Sequence, residues 1–169
     1  MSQMIPWVTS MTADSLDVWT QIAEAFPPVL PRQPVTLCDC DECRDVQANL
    51  GNLRWNEVLP PALDKHFGSL PLLTDDAFQA LLPPYLFRAL DDLSEKNKIL
   101  EWTLYTLCPL SEEDEAATRE SDAKLRKRIP KFTDQQRSAV RAFLALASAA
   151  SDLDGHHQAI TRAISAVWL

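Results

Sequence analysis

The chain has 169 residues with a formal net charge of −8, a length that suits one compact domain over 1–169 without a need for several disulfides. The acidic balance works against a nucleic-acid backbone or an anionic membrane surface and favours a basic protein partner, and no apolar stretch approaches the roughly 20 residues of a membrane-spanning helix. Three glycines and twelve prolines, among many Ala and Leu, predict an all-α fold: an irregular single-domain bundle of roughly seven to nine helices.

Leu16, Trp19, Ile22, Ala23 and Phe26 recur at helical spacing, which predicts an amphipathic helix over 12–26, stopped by Pro27 and Pro28. Residues 29–37 carry two more prolines and are expected to run extended into Cys38-Asp39-Cys40-Asp41-Glu42-Cys43. A short helix over 41–50 follows, with Cys43, Val46 and Leu50 on one face and Gly51 as a left-handed stop. Cys43 then falls in a first turn, where the helix dipole favours a thiolate.

Short helices are predicted over 55–59 and 62–67, separated by Pro60-Pro61. Thr74 is a candidate N-cap, with Asp75 and Asp76 in the first turn of a helix reaching Leu82. Pro83-Pro84 is expected to break the chain before a helix over 85–93, whose stripe is Leu86, Ala89, Leu90 and Leu93. Ser94 is expected to cap a helix to Leu107, which Pro109 ends. Residues 111–128 run from acidic (Glu112, Glu113, Asp114, Glu115) to basic (Lys124, Arg126, Lys127, Arg128). That polarity matches a helix macrodipole, yet few large apolar residues leave 111–130 as a charged helix or a partly ordered arm. Thr133 with Gln136 forms a capping-box pattern for a helix carrying Val140, Phe143, Leu144 and Ala147. Asp152 or Asp154 is placed to cap a final helix with Ile160, Ile164 and Val167 inward.

The candidate chemistry lies in the cysteines. Cys40 and Cys43 have the spacing that lets two sulfurs converge on one ion when the second opens a helical turn. Cys38 would point away from them on a regular strand and joins only if the backbone turns at Asp39. The group reads as a zinc knuckle that needs a fourth ligand, for which Cys108 and His66 are the candidates. Asp39, Asp41 and Glu42 attract a cation but also disfavour a reactive thiolate. The reduced thiols fit the cytosolic setting expected of an N-terminus, Met1 to Trp7, without a basic segment followed by an apolar one. His156 and His157 beside Asp152 and Asp154 read as the capped start of a helix. Trp19, Trp55 and Trp102 are expected in the core, and Trp7 and Trp168 either pack there or anchor a partner. No nucleophile elbow, phosphate loop or paired-histidine metal motif occurs, so no enzymatic activity is expected.

The run Leu72-Leu73-Thr74-Asp75-Asp76-Ala77-Phe78-Gln79-Ala80-Leu81-Leu82-Pro83-Pro84-Tyr85-Leu86, with Trp55 upstream, resembles an uncharacterised family of small bacterial helical proteins. The resemblance implies a bacterial, cytosolic helical domain and motif residues that pack and break helices. Charge, size and aromatic content lead to the expectation of a non-enzymatic protein that engages a basic partner, a toxin-neutralising immunity protein or comparable inhibitor being the concrete form. The alternative is a thiol-based metal or redox sensor built on Cys38, Cys40 and Cys43.

Overall fold

The computed structural model describes residues 11–108 and 115–169. Among them run eight α-helices: α1 (Ala13–Ala25), α2 (Asp41–Leu50), α3 (Pro60–Lys65), α4 (Asp75–Leu90), α5 (Lys98–Leu107), α6 (Glu115–Arg128), α7 (Asp134–Ala149) and α8 (His157–Ala166). The described residues form no strand, only an isolated antiparallel bridge between Thr36 and Leu73. The all-α expectation therefore holds.

The core is organised around α4, which packs against α1, α3 and α5, while α7 joins α1 to α8. Pro83 and Pro84 do not break this helix; both lie inside it and are buried. An interior proline costs about 3 kcal/mol through a lost backbone bond and a clash. Phe78, Leu81, Leu82, Leu86, Phe87 and Leu90 are all buried on the same helix, and each contributes about 1.5–3 kcal/mol. Keeping them on one continuous rod outweighs two poor helix residues. The Pro60-Pro61 pair opens α3 rather than separating two helices, because a missing N–H costs nothing in a first turn.

Other boundaries shift for local reasons. In α1 the buried positions are Ser15, Val18, Ile22 and Ala25, one step round from the expected stripe; Leu16 is exposed, and half-buried Trp19 stacks on Phe87 at 4.8 Å. Gly51 ends α2 with φ −63° rather than in the left-handed region. What it provides is room, since a Cβ there would meet the Gln47 side chain and carbonyl at 2.3 and 2.4 Å. Asn97, not Ser94, caps α5: its Oδ1 accepts from the backbone N–H of Ile99 and Leu100, and its Nδ2 donates to Asp92 O at 2.8 Å. One amide thus serves two consecutive segments, its oxygen accepting and its NH2 donating.

The charged helix α6 is docked at its C-terminal end. Leu125 and Arg128 are buried; Arg128 donates to Asp75 Oδ1 at 3.2 Å and to the Leu73 carbonyl, and its guanidinium lies 4.3 Å over the Phe78 ring. Residues 111–114 lie outside the described residues, as does Trp7. Thr133 and Gln136 make the expected capping box on α7. The side chains of Asp152 and Asp154 are not described; His156 occupies the N-cap position of α8 without a side-chain capping bond. Trp55 and Trp168 are core residues, their indoles donating to Phe26 O at 2.8 Å and Leu107 O at 3.1 Å. Trp102, expected in the core, instead remains 38% exposed.

Candidate metal centre

The segment before the cysteines is extended, as its prolines dictate, and it is pinned on two sides. Toward α2, Gln33 donates to Gly51 O and receives a bond from Gln47, whose Oε1 accepts from Val35 N at 2.9 Å. Toward the start of α4, Leu37 N donates to Leu72 O and Thr74 N to Val35 O, each at 2.9 Å. Val35 is fully buried between the two. A stretch with little secondary structure of its own therefore delivers Cys38 to a defined place.

The backbone then turns at Asp39, and the reason is Arg44. From the second turn of α2 its Nη1 donates to Asp39 O at 2.6 Å and pairs with the Asp39 carboxylate at 3.5 Å, while Nη2 pairs with Asp41. Cys40 becomes the N-cap residue of α2 and Cys43 its third. The turn brings Cys38 Sγ to 3.2 Å from Cys40 Sγ and 2.8 Å from Cys43 Sγ. All three sulfurs lie within 4.8 Å of one another. In a tetrahedral zinc site with Zn–S of about 2.3 Å the sulfurs are about 3.8 Å apart, so a small outward adjustment of the thiols makes room for an ion.

The three thiols are not equivalent. Cys38 and Cys40 are exposed and Cys43 is buried. Hydrogen bonding from Cys43, then from Cys40, lowers the Cys38 pKa. Burial pushes the Cys43 thiol up to about 12, with its bonds to Cys38 and Cys40 acting the same way. Burial and these bonds thus act against the thiolate that the first-turn position of Cys43 would favour.

Neither candidate fourth ligand belongs to this group. Cys108 caps the C-terminus of α5 and lines a cavity against α8; burial alone pushes its thiol up to about 12. His66 caps the C-terminus of α3 and is buried, with Nε2 3.7 Å from Asp45 Oδ2 and without a hydrogen-bond partner. Asp45, also paired with Lys65 at 2.7 Å, places His66 beside the second turn of α2 rather than among the sulfurs. Burial depresses the His66 pKa, an effect that Asp45 offsets in part. His157 bonds through Nδ1 to Ser148 Oγ at 2.9 Å. Sequence reasoning missed Arg44, Gln33 and Gln47, the residues that build the turn; polar side chains reaching across 5 to 18 positions leave no periodic trace.

Three converging sulfurs of this kind could hold a soft or borderline cation. No curated protein and no solved structure matches the chain. A family model described as "Family of unknown function (DUF6714)" matches residues 33–169, from the glutamine that anchors the cysteine segment through α8, and the chain belongs to that family.

Proposed function

We propose that this chain is a non-enzymatic binding protein whose cysteine knuckle holds a zinc ion as a staple and whose acidic surface engages a basic protein partner. The convergence of three sulfurs within 4.8 Å carries the metal part. An ion there would cross-link the extended segment to the N-terminus of α2, adding to the hydrogen bonds of Gln33 and Gln47. The test is elemental analysis of protein purified without a metal-affinity tag, wild type against Cys40→Ser. About one zinc per chain, lost in the variant, is the expected result for a site of this donor type; metal in neither sample would sink the reading.

Charge supports the partner. Asp14, Asp17 and Glu24 lie exposed on α1, which carries no Lys or Arg, and Asp39, Asp41 and Glu42 are exposed around the knuckle. A toxin-neutralising immunity protein or comparable inhibitor is the concrete form of this role. Capture from the native host of a basic protein whose association weakens steeply with added salt is expected; an empty pull-down at low salt counts against it.

A second reading, a thiol sensor, is favoured by the exposure of Cys38 and Cys40 and by the 2.8 Å separation of Cys38 and Cys43 sulfurs. With hydrogen peroxide as oxidant, two thiols give up two electrons and two protons to form one disulfide, and the peroxide leaves as two waters. Zinc release in step with disulfide formation, reversed by a dithiol, would favour the sensor; a site inert to peroxide would favour the staple.

A further inference from the structure

A cavity of about 410 Å³ opens between α5 and α8, away from the cysteine knuckle. Its described lining includes Glu101, Trp102, Tyr105, Cys108, His156 and Ile160. That volume lies within the range of about 300–1,000 Å³ typical of small-ligand sites. Glu101, Tyr105 and Cys108 are spaced i, i+4 and i+7, so a single face of α5 supplies a carboxylate, an aromatic ring and the cavity floor. Trp102 joins Tyr105 with ring centroids 5.7 Å apart and planes at 66°.

The indole is held from behind. A Cβ added at Gly68 would lie 3.5 to 3.7 Å from Cδ2, Cε3 and Cε2 of Trp102, which places that backbone over one face of the ring, and Phe67 sits at 6.3 Å. Despite this support Trp102 is 38% exposed and Tyr105 48%, whereas Cys108 and Ile160 beneath them are buried. Two large rings are thus kept at the surface around a concavity.

We propose that this cavity binds a quaternary ammonium or trimethylated amine head group. Aromatic faces attract a cation through their quadrupole, and quaternary ammonium groups are bound in this way over the faces of Trp and Tyr rings. Glu101 adds a formal negative charge at the rim; its ion pair with Lys98 is solvent-exposed on both sides and neutralises it weakly. A fully methylated ammonium has no N–H to satisfy, so it tolerates the apolar floor of Cys108 and Ile160, whereas a primary amine would have to reach Glu101, Tyr105 or His156 for its donors. An anionic ligand would face both Glu101 and the net charge of −8.

The test titrates the full chain with tetramethylammonium, choline, a trimethyllysine peptide and dimethylbutanol, the uncharged isostere of choline, read by saturation-transfer NMR and tryptophan fluorescence. Saturable binding of the cations is expected, with the uncharged isostere at least about threefold weaker. Trp102→Ala, read by saturation transfer because the indole is itself a fluorophore, should abolish binding in a chain that still folds, with its circular dichroism melt lowered by the packing lost on Gly68 and Phe67, and Glu101→Gln should weaken cation binding about two- to fivefold without changing the response to the isostere. Preference for choline assigns the site to a free small cation, and preference for the peptide to a methylated lysine. Equal affinity for choline and its isostere, or wild-type binding by both variants, would overturn the proposal. The knuckle plays no part in this experiment, so its outcome is independent of the metal reading.

Discussion

Cys43 and Cys108 are both buried, and in both burial pushes the thiol up to about 12. They differ in what lies next to them. Cys43 sits against Cys38 and Cys40 on a segment clamped by Gln33, Gln47 and Arg44, whereas Cys108 closes the end of α5 against apolar neighbours. A buried thiol in an apolar wall is a small hydrophobe; the same thiol beside two exposed ones could serve a metal ion once deprotonated. Neighbours, not burial, separate the two roles.

The sharpest way to break this contrast is to remove each sulfur in turn. Cys43→Ala should take the metal content from about one zinc per chain to none, as expected when a three-thiolate set loses a member, and Cys108→Ala should leave it unchanged; loss in both would make Cys108 a ligand after all. Next in size is a rate. In the metal-free native protein Cys38 should be alkylated by iodoacetamide faster than Cys43 or Cys108 by about two orders of magnitude, which mass spectrometry of quenched samples reads directly.

Smaller again is the effect of polarity at Cys108. Cys108→Ser places a hydroxyl in an apolar wall and should destabilise the fold by about 1–3 kcal/mol, measured by urea unfolding, with zinc binding unaffected. The smallest effect concerns His66, on the cysteine side of the molecule. Its pKa in the fold is lowered, so the unfolded chain takes up the proton first, and stability is lost as pH falls below the unfolded value of about 6.5. His66→Gln should flatten that part of the stability profile; an unchanged slope would mean that another group governs it.

The cysteine cluster was legible because three thiols within six residues need little tertiary information to meet, and the condition that the chain turn at Asp39 was legible too. Arg44 as the cause of the turn was not, since a guanidinium reaching back five residues carries no signature in spacing. The capping box of Thr133 and Gln136 was readable because both partners are local. The two proline pairs mark the limit: an identical dipeptide opens α3 and lies inside α4, and only the apolar surroundings, assembled from the whole chain, decide which. Trp102 was misplaced for a related reason, as spacing along α5 does not say whether a neighbour arrives to cover the ring.

Trp168 joins the last helix to the middle of the chain. Its ring is fully buried, meets Phe132 edge-on at 5.5 Å and donates to the carbonyl of Leu107, so it seals a wall shared by segments made long before it. If the wall closes only with this ring, helices α4, α5 and α7 are expected to leave the ribosome with it open and, at a synthesis rate of about 5–20 residues per second, to wait until residue 168 is free. Ribosome-bound chains stalled before that residue should therefore remain open to protease, and release of the indole should mark the onset of protection.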